Sequence, residues 1–128
     1  MDLSKYMKSI IDMDRSSVVI CDLEHRMIYL NPAAIRNYKK YSGADLVGRS
    51  LLDCHNENSQ AIIKKVVAWF AESTENNMIY TFFNKKENKD VYMVALREED
   101  GTLIGYYEKH EYRDRETAEF YDVGSSLV

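Results

Sequence analysis

Cysteine and proline are scarce in this 128-residue chain, and the shortage of cysteine argues against both a disulfide framework and a metal site with cysteine ligands. The sequence has two cysteines, Cys21 and Cys54, and one proline, Pro32. Two cysteines are too few for the disulfide framework of a small secreted protein, and neither has a partner at metal-ligand spacing. We therefore expect two reduced thiols and no metal site.

Positive charge is also in short supply. The chain has 17 Lys and Arg against 21 Asp and Glu, which gives a formal charge of −4 and a pI near 5.4. Nucleic-acid binding needs clustered Lys and Arg, so we expect no direct contact with DNA or RNA. No apolar run is long enough to span a bilayer and no basic-then-apolar leader precedes the first predicted strand, so we expect no membrane partner and a cytoplasmic location.

Catalytic motifs are missing as well. The sequence has no glycine-rich phosphate loop, no spaced set of histidines and carboxylates for a metal, and no oxyanion-type motif. The remaining candidate is Asp53-Cys54-His55. Side chains of adjacent residues project in different directions, so Cys54 and His55 are poorly placed as nucleophile and base. The sequence predicts that the protein is not an enzyme.

The length and composition of the chain suit one domain with a single core. An amphipathic segment precedes this domain. Within residues 1–16, apolar side chains recur at steps of three and four: Leu3, Tyr6, Met7, Ile10 and Ile11. This spacing predicts a flanking helix with one apolar face. That face either covers the open sheet of its own subunit or forms a dimer contact, and the two alternatives are compatible.

A strand pair that leads directly into a helix is predicted next. Two apolar, β-branched-rich runs, 18–21 and 27–30, flank a polar segment, which is typical of a hairpin. Asn31 can then accept hydrogen bonds from free backbone N–H groups as an N-cap, and Pro32 suits the first helical position.

The helices that follow are read from spacing and capping residues. We expect a short helix over 32–41, stopped by Ser42-Gly43, and a brief turn over 45–48. Residues 60–73 carry apolar side chains at helical spacing with Lys64 and Lys65 opposite, which predicts the longest helix of the chain.

Three further strands and a charged tail complete the prediction. β-branched and aromatic residues indicate strands over 78–83 and 91–96, and an Asp-Gly turn precedes a last strand over 103–112. The tail, 114–128, is expected to be partly helical and docked through Phe120 and Tyr121, with 124–128 frayed. Ion pairs at four-residue spacing, Glu111 with Arg115 and Arg115 with Glu119, support the helix. The pattern does not decide which face of the last strand is buried.

The hairpin and the helix start resemble the opening of PAS domains. The matching positions are Asp22, Arg26, Tyr29, Asn31, Ala33 and Ala34. The resemblance continues through Leu46-Val47-Gly48-Arg49-Ser50 and resumes at Glu99-Asp100-Gly101-Thr102-Leu103-Ile104-Gly105, so it covers roughly residues 17–113. It implies an α+β fold: a five-stranded antiparallel sheet with helices packed on one face and an N-terminal flanking helix.

The resemblance also implies a ligand cavity, in which helix 60–73 lies across the sheet as one wall. Several strand tyrosines add hydroxyl groups that could meet a ligand. The candidate cavity residues are Tyr29, Tyr38, Leu51, His55, Ile63, Val66, Val67, Phe70, Tyr80 and Tyr106.

Two cofactors of PAS relatives can be weighed against this sequence. Light-sensing relatives need a cysteine just after a Gly-x-Asn turn, but here Gly48-Arg49-Ser50 is followed by Leu51, and Cys54 comes three residues later, which argues against flavin. Haem needs an imidazole that reaches the iron. His55 is the nearest candidate, His110 a second and His25 a poorer one; the alternatives are a backbone hydrogen bond for His55 and a sheet-surface position for His110.

Three functions follow from the resemblance, two of which take a ligand. The leading hypothesis is a cytoplasmic sensory module that binds a small molecule between sheet and long helix and relays it, as a homodimer, to an unidentified signalling protein. The second is a haem-binding gas or redox sensor with His55 as axial ligand. The third is a ligand-free dimerisation or interaction scaffold. The ligand, the partner and the direction of the signal are not readable from the sequence.

Overall fold

The chain was analysed as a computed structural model, which describes residues 1–39 and 43–121. A flanking helix opens it, α1 (Ser4–Met13), followed by the hairpin β1 (Val19–Asp22) and β2 (Met27–Leu30) and a short helix α2 (Pro32–Asn37). Two 3₁₀ helices (Gly43–Leu46 and Leu51–Cys54) lead into the long helix α3 (Glu57–Glu72). Strands β3 (Met78–Asn84), β4 (Lys89–Arg97) and β5 (Leu103–Tyr112) complete the fold.

The five strands form one antiparallel sheet in the order β2-β1-β5-β4-β3, which confirms the predicted α+β architecture. Because β1 pairs with β5, the first and last strands lie side by side at the centre. This close approach requires a glycine: a Cβ atom on Gly105 would lie 2.2 Å from the carbonyl oxygen of Cys21.

The start of α2 is fixed as the sequence predicts. The side chain of Asn31 accepts a hydrogen bond from the backbone N–H of Ala34 at 2.9 Å, and Pro32 occupies the first turn. The helix ends at Asn37, earlier than the predicted 41. The predicted positions Lys40 and Tyr41 and the stop at Ser42 lie outside the described residues.

The core lies between the inner face of the sheet and α3. Ile63, Val66 and Phe70 of α3 pack against buried residues of β1, β4 and β5, among them Met93 and Tyr106. Tyr106 is fully buried, which shows that Tyr106, Glu108 and His110 face inward on β5.

The flanking helix is present, but its apolar face is not covered. No residue of α1 is buried, and Tyr6, Met7 and Ile10 are more than half exposed. Its anchor is at its C-terminal end, where the Nδ2 group of Asn31 donates to the carbonyl oxygen of Ile11 at 2.9 Å. The alternative in which this stripe covers the sheet of its own subunit therefore does not hold for these side chains.

The predicted helix in the tail is wrong for the residues described. Residues 113–121 have no helical structure, and Phe120 and Tyr121 are 99% and 80% exposed. Glu111, expected to pair with Arg115 along a helix, belongs to β5 and pairs with Lys109 and Arg113. Exposed ion pairs contribute only about 0.3 to 0.5 kcal/mol each, too little to form a helix without packing. The predicted fraying over 124–128 lies outside the described residues.

Candidate functional site

The inner face of the sheet encloses a cavity of about 210 Å³, the inner compartment. It lies between β1, β2 and β5 on one side and the two 3₁₀ helices on the other. Its walls are mainly apolar, as is usual for small-molecule sites. The lining residues are Val19, Met27, Tyr38, Leu46, Leu51, Cys54, His55, Tyr106 and Glu108.

A second, more open cavity of about 420 Å³, the outer compartment, lies between the start of α3 and strands β3, β4 and β5. It is more polar than the inner compartment. Its lining residues are Tyr38, His55, Ser59, Ile62, Ile63, Thr81, Phe82, Asn84, Glu87, Lys89, Val91, Met93, Glu108 and His110. Tyr38, His55 and Glu108 line both compartments, so these three side chains mark the junction between them.

Glu108 is the most unusual group at this junction. Its side chain is only 24% exposed, and none of the described residues donates a hydrogen bond to its carboxylate. The nearest partner is His110, whose Nε2 lies 3.7 Å from Oε2, beyond hydrogen-bond distance. Burial raises the pKa of Glu108, and the proximity of His55 and Lys89 offsets this rise in part.

His110 is also buried without a full set of partners. Its side chain is 8% exposed, and its Nδ1 has no hydrogen-bond partner among the described residues. Burial and the charge of Lys89 lower its pKa to about 4, so the ring is neutral at pH 7. Lys89 is itself paired, since its Nζ lies 2.8 Å from the carboxylate of Glu87.

His55 is held by the loop that precedes α3. Its Nδ1 lies 2.9 Å from the carbonyl oxygen of Leu51. A carbonyl can only accept, so Nδ1 carries the proton, and Nε2 of the neutral ring keeps a lone pair. The side chain of Gln60 fixes the same loop by donating to the carbonyl oxygens of Leu52 and His55.

Tyrosine hydroxyls complete the polar lining. The hydroxyl of Tyr106 lies 2.8 Å from Nδ1 of His25, which connects the inner compartment to the β1–β2 turn. Burial raises the pKa of Tyr106, and burial together with the charge of Glu108 raises the pKa of Tyr38 to about 12. Both phenols are therefore neutral hydrogen-bonding groups at pH 7.

Comparison with known proteins agrees with this architecture. The sequence model described as a PAS domain matches residues 15–108. The chain belongs to the PAS domain family. Proteins of this family are generally sensory or regulatory rather than catalytic. No curated protein matches the sequence of this PAS domain.

Solved structures share the fold at low identity. A PAS domain from Colwellia psychrerythraea is 17% identical, with a TM-score of 0.64 over 87% of this chain and 97% of that one. A C-terminal domain from Streptococcus mutans is 21% identical, with a TM-score of 0.64 over 84% and 83% of the two chains. The Aer2 receptor of Vibrio cholerae, described as a dual PAS-haem oxygen sensor, is 18% identical, with a TM-score of 0.56 over 73% and 90%.

The PAS cavity brings together half of the residues selected from the sequence. Those that line it are Tyr38, Leu51, His55, Ile63 and Tyr106. Val66 and Phe70 instead pack tightly in the core, and Val67 packs beside them, because these later turns of α3 lie directly against the sheet.

Two tyrosines selected from the sequence lie away from the cavity. The hydroxyl of Tyr29 donates to the carboxylate of Asp12 and so ties β2 to α1. The ring of Tyr80 is more than half exposed and packs against Tyr92, with ring centroids 5.4 Å apart. Their role is therefore in packing around the sheet and not in the lining of the cavity.

Glu108 and Lys89 were not selected as ligand contacts from the sequence, and His110 was considered only as a second candidate for a haem ligand. The signal was present in the alternation of β5, where Tyr106, Glu108 and His110 share a face. The opposite face of β5 also carries polar residues, so the pattern alone gave no reason to place Glu108 inside. His110 lies inside as well, and not on the sheet surface.

Cys54 and His55 bear on the cofactors of other PAS domains. Cys54 is exposed at the edge of the inner compartment, and Cys21 is buried with its pKa raised to about 12 by burial. His55 fits the requirement for an axial haem ligand in that its Nε2 keeps a lone pair while Nδ1 is held by a backbone carbonyl.

Among the described residues, no helix is long and apolar enough to cross a membrane.

Proposed function

We propose that this PAS domain is a sensory module that binds a small molecule in the two compartments and relays its presence through protein contacts, without catalysis. The observation that carries the proposal is the junction at Glu108, where a largely apolar cavity holds a partly buried carboxyl group with no hydrogen-bond partner among the described residues. The outer compartment, of about 420 Å³, has the scale of a small-molecule site, and the inner compartment of about 210 Å³ adds a smaller space beside it.

The relay is proposed to run through α1. Its apolar residues are exposed while its C-terminal end is fixed to the domain by Asn31 and Tyr29. A second copy of the chain is the proposed occupant of this face, and a signalling protein would read the geometry of the pair. A ligand that fits one arrangement better than another shifts the population by its difference in affinity. The two free thiols support a reducing, cytoplasmic setting.

Native mass spectrometry of the purified protein tests the small-molecule site. We expect a retained molecule that is lost on denaturation and absent from a Val19→Phe variant, in which a larger side chain fills the inner compartment. Ile28→Phe is the matched control, because Ile28 is exposed outside the cavity. The proposal fails if no molecule is retained and none from a diverse small-molecule set raises the melting temperature, or if Val19→Phe retains the molecule as wild type does.

A haem sensor is the second candidate, and the geometry of His55 favours it. Haem would supply reversible binding of a gas or an electron at the iron, and His55 would hold it through Nε2. An absorption spectrum after haem addition decides the question. We expect a Soret band that His55→Ala removes or shifts; no band, or a band that His55→Ala leaves unchanged, removes the candidate.

A further inference from the structure

The charges that line the cavity indicate which kind of ligand it can take. Lys89 is the only Lys or Arg among the described lining residues, and it is already paired with Glu87 at 2.8 Å. No free cation therefore remains in the described lining to receive an anionic ligand. The acidic group that lacks a hydrogen-bond partner among the described residues is Glu108, so the unpaired ionisable group of the described lining is one that becomes negative when it ionises.

The gap between Glu108 and His110 has the size of one donor group. Oε2 of Glu108 and Nε2 of His110 are 3.7 Å apart, too far for a direct hydrogen bond. A single ligand nitrogen could lie within roughly 2.7 to 3.2 Å of both atoms, which is the distance of a good hydrogen bond to each. An ammonium group has up to three donors, so it could donate to the carboxylate of Glu108 and also to Nε2 of His110 in the tautomer that carries the proton on Nδ1.

The walls on either side suit a cation attached to an apolar body. Tyr38 and Tyr106 present aromatic rings, and such rings attract a cation through their faces. Beyond Glu108, the inner compartment is lined by the aliphatic side chains of Val19, Met27 and Leu46. Burial of an apolar group there contributes roughly 25 cal/mol per Å² of surface removed from water.

We infer that the cavity takes a small protonated amine that carries an apolar body, with the amine at Glu108 and His110 and the body in the inner compartment. This inference rests on the proposed small-molecule site and names the chemical class of its ligand. The raised pKa of Glu108 agrees with it, since burial without a partner disfavours the carboxylate and a bound cation would favour it again.

Three probes of similar size and different charge test the inference: 2-phenylethylamine, 2-phenylethanol and 3-phenylpropionate, titrated by calorimetry into wild type, Glu108→Gln and Glu99→Gln. Glu99 is an exposed control that removes the same charge. We expect wild type and Glu99→Gln to bind the amine at least about tenfold more tightly than the alcohol, and the carboxylate least. In Glu108→Gln the preference for the amine should disappear, because a buried charge pair is lost.

Each alternative result overturns the inference of an amine ligand, and one of them also overturns the small-molecule site. Equal binding of amine and alcohol by wild type, or unchanged amine binding by Glu108→Gln, overturns the inference and leaves the small-molecule site intact. A retained molecule without a basic nitrogen in native mass spectrometry overturns it as well. If no probe binds and no molecule is retained, both the inference and the proposed site fail. The comparison of probes on wild type decides the matter even if Glu108→Gln does not fold.

Discussion

Substitution of Asn31 should separate two roles that one buried side chain performs. Its Oδ1 accepts from the backbone N–H groups of Val18 and Ala34, each at 2.9 Å. Its Nδ2 donates to the carbonyl oxygens of Ile11 at 2.9 Å and Ser16 at 3.1 Å. One face of the amide thus caps α2 and holds β1, and the other fixes the end of α1.

The cost of Asn31→Ala can be worked from these contacts. Loss of the N-cap costs about 1 kcal/mol. The buried N–H of Val18 is left without its acceptor, at about 1 to 3 kcal/mol, and the donor side loses roughly another 1 kcal/mol. We therefore expect the free energy of unfolding to fall by about 4 kcal/mol, a large part of the 5 to 15 kcal/mol typical of a domain.

Asn31→Asp should keep the acceptor role of this side chain and remove its donor role. The carboxylate still accepts from Val18 and Ala34, but its second oxygen faces the carbonyl oxygens of Ile11 and Ser16 and cannot donate to them. In hydrogen-exchange mass spectrometry we expect faster exchange over α1 while the amide of Ala34 stays protected. In Asn31→Ala both regions should exchange faster.

The assay is urea unfolding combined with this exchange measurement, with Asn58→Ala as control. Asn58 is exposed on α3, and its replacement should change stability by less than about 0.5 kcal/mol. A loss below about 1 kcal/mol for Asn31→Ala, or equal exchange over α1 in wild type and Asn31→Asp, would refute the reasoning.

Four further perturbations have defined outcomes. Arg97→Lys should lower the free energy of unfolding in urea by about 2 kcal/mol. The guanidinium of Arg97 donates to the carbonyl oxygens of Phe70, Ser73 and Asn76 at and beyond the end of α3, and a lysine ammonium cannot reproduce that geometry. Gly105→Ala should abolish the native circular dichroism transition, since its Cβ would meet the Cys21 carbonyl; a wild-type melt contradicts this. His110 is neutral in the fold and protonates readily only when unfolded, so its own contribution to stability should fall by about 3 kcal/mol as pH drops from about 6.5 to about 4. In pH-dependent urea unfolding, the difference in stability between wild type and His110→Asn should change by this amount over that range, and a difference that does not change with pH contradicts the prediction. Removal of residues 1–13 should give monomers in light scattering, whereas dimers that persist would limit α1 to its own subunit.

Much of the fold could be predicted because its signals are local. The alternation of the strands and the residues Asn31 and Pro32 set element boundaries through backbone hydrogen bonding and dihedral preference, and neither depends on distant packing. The tail was predicted wrongly because Phe120 and Tyr121 have no surface to pack on. Ion pairs alone do not stabilise a short helix in water.

The site was less predictable because a cavity is the space that packing leaves. Val66 and Ile63 lie one turn apart on the same face of α3 and both belong to the core, yet only Ile63 also lines the outer compartment. Whether a residue on this face lines a cavity depends on the volumes of the facing side chains and on the distance between sheet and helix. Neither quantity can be predicted from the spacing of apolar residues in one helix. Residues from separate elements, such as Tyr38 and Glu108, meet only through the tertiary fold.

The buried polar groups of β5 reduce the stability of the fold, and that cost bears on function. A buried polar atom without a partner costs about 1 to 3 kcal/mol, which applies to Nδ1 of His110, and the partly buried carboxyl of Glu108 adds a smaller cost. A domain adapted for stability alone would place apolar side chains at these two positions. Together with the pKa shifts of both groups, the 3.7 Å gap means that the domain without a ligand keeps a carboxyl and an imidazole in unfavourable surroundings. A ligand that forms hydrogen bonds with these groups offsets part of this cost on binding. The affinity of the ligand then includes the recovery of this cost. Because a ligand that binds the folded state stabilises it, the melting temperature of the domain should rise with occupancy of the cavity.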